Sequence, residues 1–315
     1  MVTFPEPDIR WRSPGRPAGP SLLPRLRSGE LWKQNAAEYL LSNARRYGDL
    51  VRFRALGHEV LQFNHPELVG DMLQRNERLH HRSLVMRRSK VILGEGLLTS
   101  EEPLHMRQRR LVQPAFHRAR LQGYGEIIAQ AAAKTSAAWR DGEVVGIHAD
   151  MLQLALRIVG RTLFSLDFEA DVGPIAEAVD GFQGFLTLAF LPLPHLLQRL
   201  PIAPMQRITR GRVFLDRLIY GVIAERRADP ADRGDLLSML LASETTEDGD
   251  STGTAARMSD EQVRDECLTV LLAGHETTAN ALSFILWQMA ANPAVQEAVA
   301  EEATRVLGGR LLLPW

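Results

Sequence analysis

A mainly helical fold with a small β region near the N terminus is predicted by three observations. One long helix is predicted over about 259–291, and most of it is the chain's longest apolar stretch. Two alternating segments, Leu50-Val51-Arg52-Phe53-Arg54 and Val60-Leu61-Gln62-Phe63, flank a turn at Gly57-His58 and read as one hairpin over 50–63. From about residue 102 to residue 315 the pattern is mostly helical.

The elements follow in order. Residues 1–29, rich in Pro, Gly and Arg from residue 11 on, read as an extended lead-in. Glu30 to Tyr47 reads as a helix that ends at Gly48-Asp49, and the hairpin comes next. Asn64 and Pro66 are helix-start residues for Glu67 to Asn76. The apolar, proline-rich segment 191–204 cannot form one continuous helix. Small polar residues over 244–257 read as a mobile surface loop. Ser259 with Gln262 three residues later makes a capping box for the long helix, which Asn292-Pro293 closes. At a rise of about 1.5 Å per residue that helix spans roughly 48 Å. A further helix runs from Pro293 to Leu307 and ends at Gly308-Gly309.

A length of 315 residues suits one large domain or two. Lys plus Arg number 37 and Asp plus Glu 38, a net charge of −1. That balance makes no electrostatic case for nucleic acid or for an acidic membrane. The single cysteine, Cys267, excludes an intrachain disulfide and a zinc site of several thiolates. No apolar secretory segment follows the first residues. The longest apolar stretch, Cys267 to Ala291, holds His275, Glu276, Thr277, Thr278 and Asn280 at its centre. Such groups are costly in lipid, so the stretch reads as a buried helix of a soluble protein, with no membrane span.

The centre of that helix, Leu272-Ala273-Gly274-His275-Glu276-Thr277-Thr278-Ala279, is unusual for a packing segment. A buried, unpaired Glu costs several kcal/mol or shifts its pKa upward. Gly274 costs about 1 kcal/mol against Ala, and adjacent threonines lower helix propensity further. Threonine hydroxyls can bond the carbonyl four residues back and loosen the helix. Gly274 would let a ligand approach the backbone. A catalytic or binding site and a buried polar cluster with internal partners both fit. A zinc-protease pair does not, because Ala279 stands four residues after His275.

A second segment, His105-Met106-Arg107-Gln108-Arg109-Arg110-Leu111-Val112-Gln113-Pro114-Ala115-Phe116, is strongly basic and follows Gly94-Glu95-Gly96-Leu97-Leu98-Thr99-Ser100. His105 and Arg109 are four apart and share one helix face. A solvated basic face is the default reading, and the stripe is short for nucleic-acid binding.

The Ala273-to-Thr278 motif resembles the oxygen-activating motif of cytochromes P-450, on the helix that crosses over the haem. The basic segment resembles the helix that meets the haem edge. The resemblance covers nearly the whole chain in order, through Asn292-Pro293-Ala294-Val295-Gln296-Glu297 and Val306-Leu307-Gly308-Gly309-Arg310. It implies the cytochrome P-450 fold, a large helical domain with a small β region. It implies that Thr277 hydrogen-bonds to bound dioxygen or its water, and that Glu276 relays protons. Ala273 and Gly274 would line the oxygen groove, and His105 and Arg109 would bind the haem propionates. The implied cofactor is b-type haem. The implied partners are O2, an apolar small-molecule substrate and a ferredoxin- or flavodoxin-type electron donor with its reductase, in the cytoplasm. Arg107 and Arg110 would add to a donor-docking surface. Substrate specificity would lie in loops at 80–98 and 182–204.

In the family a Glu-x-x-Arg helix and a loop carrying the haem-ligating Cys follow the equivalent of Gly309-Arg310. This sequence instead runs Leu311-Leu312-Leu313-Pro314-Trp315. It therefore reads as an incomplete single P-450 domain over 1–315, and no residue of it is assigned as a metal ligand. Cys267 lies on the helix of the opposite haem face and reads as a small buried hydrophobe. The expected activity is a haem-thiolate monooxygenase by family. The alternatives are a truncated remnant that forms no functional haem site and a helical regulator unrelated to haem. The 315 residues alone are expected to be inactive and loosely folded, with apolar surface around Leu271 and Phe284 uncovered.

Overall fold

A computed structural model of the chain describes residues 17–20, 35–55, 58–76, 79–168, 172–189, 203–245 and 256–310. Among these the chain is mainly helical, with one small antiparallel sheet near the N terminus. They fall into two compact units, one with the described residues up to His81 and one with those from Arg82 onward.

In the first unit, helix α1 (Ala36–Tyr47) starts at Asn35, whose side chain accepts from the Glu38 N–H at 2.8 Å. Strands β1 (Leu50–Ala55) and β2 (His58–Phe63) pair antiparallel from Leu50 opposite Phe63 to Ala55 opposite His58. Val51 and Phe53 point inward, and the Phe53 ring meets Tyr39 of α1 edge-on at 5.3 Å. Residues 17–20 of the lead-in run along this hairpin. The Arg52 N–H donates to Ala18 O at 3.0 Å, and a Cβ on Gly19 would fall 1.6 Å from Arg52 O. Only glycine permits that approach. Helix α2 (Pro66–Gly70) continues as a π-helical turn over Asp71–Arg75.

The second unit holds α3 (Leu84–Leu93), α4 (Leu104–Val112), α5 (Arg118–Ala137), α6 (Ile147–Leu163) and α7 (Val172–Ala189). After these come α8 (Ala203–Ala228), α9 (Leu236–Ala242), α10 (Asp260–Ala291) and α11 (Pro293–Leu307). A two-residue ladder pairs β3 (Glu244–Thr245) with β4 (Ala256–Arg257). Helix α10 is the axis of the core. Its Val263, Leu268 and Leu271 pack with Leu156 and Leu163 of α6, Leu215 and Ile223 of α8, and Leu236 and Leu240 of α9. Residues 263–269 of α10 are buried all round, so charged side chains there need partners inside the protein. Further along, His275 and Ala279 are buried but Phe284 is 66% exposed. Among the described residues no helix is long and apolar enough to cross a membrane, and none form a cluster of metal-ligating side chains.

The capping box at Ser259 and Gln262, the bounds of α10 and α11 and the left-handed Gly308 agree with the sequence reading. Other elements differ. The helix read from Glu30 is described as Ala36–Tyr47 with Asn35 as its cap, and residues 30–34 lie outside the described set. His58 belongs to β2, where it pairs with Ala55, and residues 56–57 also lie outside that set. The cap of α2 is His65, because Asn64 is drawn back to Gly48 O at 2.7 Å. The stretch 80–98 is no loop. It contains α3, whose Val85, Ser89 and Ile92 recur at helical spacing on its buried face. Ser89 fits there because its hydroxyl donates to Val85 O at 2.9 Å. Residues 182–189 are the end of α7, and most of 191–204 and 244–257 lies outside the described residues. Leu271 is 1% exposed, so its cover is complete, unlike that of Phe284.

Candidate functional site

Helix α10 brings the central motif together. Ala273 and Thr277, one turn apart, lie on an exposed face, with Gly274 and Glu276 half-buried beside them. His275 turns inward and is 2% exposed. The buried titratable group of the motif is therefore the histidine, and burial lowers its pKa. The Thr277 hydroxyl donates to Ala273 O at 2.6 Å, the back-bond expected from sequence. It does not open the helix, which stays α-helical from Asp260 to Ala291. Both Thr277 Oγ1 lone pairs then face outward as acceptors. Gly274 has a packing role as well. A Cβ there would lie 3.0 Å from Val159 Cγ2, so the glycine lets α10 and α6 close together.

The second group lies on α4, whose buried face is Gln108 and Val112. His105 and Arg109 share one face, but their surroundings differ. The Arg109 guanidinium is exposed and has no partner among the described residues. His105 is half-buried against Arg82, with Arg82 Nη2 at 2.8 Å from its Nδ1. Leu97 O lies 3.1 Å from the same nitrogen. A guanidinium can only donate, so this contact fits a neutral ring whose Nδ1 accepts from Arg82. Nε2–H is then left as the donor. Arg82 was missed in the sequence, since the contact spans 23 residues and no local spacing announces it. It also donates to Ser100 O at 3.1 Å.

No local spacing in the sequence singles out the acidic pair six and seven residues before Leu272, where the motif begins. Asp265 and Glu266 of α10 are 6% and 0% exposed. Both accept backbone N–H groups of the 94–100 loop that precedes α4. Arg264 beside them donates to Asp265 at 2.8 Å, to Ile92 O at 3.0 Å and to Asp216. The basic helix and the central helix are thus joined through one loop, whose backbone groups are shared between them.

Comparison with known proteins supplies the family. A cytochrome P450 family model matches residues 14–313. The chain is 36% identical to cyclooctatin synthase of Streptomyces melanosporofaciens, over 98% of this chain and 66% of that protein. It is 32% identical to pentalenene oxygenase of Streptomyces avermitilis, over 86% of this chain and 59% of that protein. To cyclooctat-9-en-7-ol 5-monooxygenase of Streptomyces melanosporofaciens it is 32% identical, over 96% of this chain and 64% of that protein. The chain spans 59–66% of the length of these curated relatives. With the family model matched over nearly all its residues, and with the motif and the basic helix in the places described, the chain belongs to the cytochrome P450 family.

Proposed function

We propose that this chain carries the oxygen-activating face and one haem-edge contact of a haem-thiolate monooxygenase that inserts one atom of O2 into an apolar substrate. The observation that carries this reading is the Ala273–Thr277 face of α10, where a pinned threonine stands beside a half-buried carboxyl group. The names of two relatives support the substrate class, since pentalenene is named as an alkene and cyclooctat-9-en-7-ol as an unsaturated alcohol.

The residues present suit two of the contacts a haem needs. Exposed Ala273, with half-buried Gly274 beside it, leaves room for a flat ring, and Arg109 with the His105 N–H offers donors to anionic propionates. They do not include a thiol placed to hold the iron. Cys267 is 1% exposed within the core, and burial raises its thiol pKa away from the thiolate form. It stands ten residues before Thr277, about 15 Å along the same helix. Cys267 is therefore not assigned as the thiolate that would hold the haem. A haem held without covalent attachment, b-type, suits a chain with one buried cysteine.

Haem, when bound, supplies the redox centre at which O2 is reduced and one oxygen atom is transferred. The protein manages protons and water. Glu276 takes a proton from the solvent side and passes it toward Thr277. Thr277 Oγ1, its hydrogen on Ala273 O, accepts from a water or an acid and holds it in place. Ala273 admits no side chain that would crowd that position. A ferredoxin- or flavodoxin-type donor in the cytoplasm is proposed as the electron source, with exposed Arg110 on its docking face.

Two measurements test the reading. In the haem-loaded protein, His105→Ala with Arg109→Ala is expected to weaken haem retention, each charge-assisted bond being worth about 1.5–3 kcal/mol. Haem transfer to apomyoglobin at the wild-type rate would refute the edge assignment. The 315-residue chain, given haemin, reduced and exposed to carbon monoxide, is expected to lack the thiolate-type absorption band. Appearance of that band, and its loss in Cys267→Ser, would make Cys267 the ligand. The burial of the only thiol also favours a second reading, a chain that forms no working haem site by itself. A haem complex that binds carbon monoxide and oxidises substrate would exclude it.

A further inference from the structure

The 94–100 loop is gripped from two sides. From α10, Asp265 Oδ2 accepts from the Glu95 N–H at 2.7 Å and Glu266 Oε2 accepts from the Leu97 N–H at 3.0 Å. From the other side, Gln108 Nε2 donates to Glu95 O at 2.5 Å, and Leu97 O faces His105 Nδ1 at 3.1 Å and Arg82 Nη2 at 3.4 Å. Leu97 is therefore held at its N–H by α10 and at its carbonyl by Arg82, whose Nη2 also donates to His105 Nδ1. Two glycines make this approach possible. Gly94 has φ +67°, and a Cβ there would fall 2.0 Å from Asp265 Oδ2. A Cβ on Gly96 would fall 2.4 Å from Thr269 Oγ1 and 2.5 Å from Asp265 O.

Glu266 is an expensive way to fill this place. It is fully buried, and its Oε1 has no hydrogen-bond partner among the described residues. Burial pushes its carboxyl up to about 7, the Leu97 N–H only partly offsetting this. An apolar side chain of similar volume would avoid that desolvation. It would also leave the Leu97 N–H buried without an acceptor, and that need is what the carboxyl meets.

We propose that Glu266 is a positioning residue, which together with Asp265 fixes the backbone of 95–97 against α10 and, through Leu97 and the Arg82 guanidinium shared by Leu97 O and His105, sets the place of His105. The consequence for haem rests on the edge assignment of His105, whereas the clasp stands on the contacts above. Either protonation state of Glu266 keeps an acceptor oxygen for Leu97. Glutamine should therefore serve in its place, and methionine, equal in length but without a good acceptor, should not.

The test uses the 315-residue chain without haem. Amide hydrogen exchange and the imidazole NMR signals of His105 are followed in wild type, Glu266→Gln and Glu266→Met. Glu266→Met is expected to speed exchange at the Leu97 amide by about tenfold or more and to shift the His105 signals, with exchange in α6 and α8 unchanged. Glu266→Gln is expected to stay close to wild type in both. If Glu266→Met does not fold, Gly96→Ala, which pushes the same loop off α10, is expected to produce the same two changes. Unchanged exchange and unchanged His105 signals would overturn the proposal, as would a glutamine variant as disturbed as the methionine one. None of these readouts needs haem, so failure to bind haem leaves them intact and counts only against the function proposed above.

Discussion

Thr277→Ala in the haem-loaded protein is expected to cut the product formed per electron consumed by about tenfold to a hundredfold, with hydrogen peroxide accounting for the lost electrons. The hydroxyl is pinned to Ala273 O at 2.6 Å on an exposed face, so it is held in one rotamer with its acceptor side outward. A group held in that way positions a proton donor without cost at the moment of transfer. Alanine keeps the helix and removes the hydroxyl. Electrons should then still enter and O2 should still be reduced, but with two protons ending on peroxide instead of one oxygen atom ending on substrate. Thr277→Ser keeps the hydroxyl and should retain most of the coupling. Simultaneous measurement of reductant consumption, peroxide and product decides the matter. Equal coupling in wild type and Thr277→Ala would remove Thr277 from the proposed mechanism.

The parts of this site that were legible in the sequence are local ones. The back-bond of Thr277 to Ala273 O needs only the four-residue spacing of a helix. The cap at Ser259 and Gln262 and the end at Gly308 are likewise set within a few residues. The hairpin pairing follows from alternation, with Val51 and Phe53 on the covered face. What the sequence concealed depends on long-range partners. Helix α3 escaped notice because Arg87, Arg88 and Lys90 dilute its apolar face, and because Ser89 counts as apolar only once its hydroxyl has bonded Val85 O.

The same holds for charge. The sequence marked Glu276 as the costly carboxylate of the long helix, yet it is half-buried, and the fully buried one is Glu266 ten residues earlier. No spacing rule distinguishes the two. The difference arises because the N-terminal half of α10 is surrounded by α6, α8, α9 and the 94–100 loop. Arg82 is a further instance, since its role beside His105 exists only after the chain has folded back across 23 residues.

The largest stability effect is expected at Arg226 and Asp235, an ion pair with both side chains 2% exposed. It ties the end of α8 to the start of α9. Arg226 Nη2 donates to Asp235 Oδ2 at 2.7 Å and to Phe164 O at 2.6 Å, and Nη1 donates to Ser238 Oγ at 3.0 Å. Asp235 also caps α9 by accepting from the Ser238 N–H at 2.8 Å. Burial alone would raise the Asp235 pKa, but Arg226, Ser165 and Ser238 together hold it below its ordinary 3.8. Asp235→Ala leaves a buried guanidinium without its counter-charge, at an expected cost of about 3–5 kcal/mol. Changing Arg226 to Met together with Asp235 to Leu should recover only part of that loss. The double change removes both charges, but it leaves Phe164 O and the Ser238 N–H short of partners. The pH dependence has a definite sign. A carboxyl whose pKa is lower in the folded state contributes stability that is complete above its unfolded value, near 3.8, and is lost as pH falls through the folded value. The gap in urea midpoint between wild type and Asp235→Ala should therefore be constant from about pH 5 to neutrality and narrow below about pH 4. A gap that stays constant down to pH 2.5, or a single variant no less stable than the double one, would show that the pair does not hold α8 to α9 by its charge.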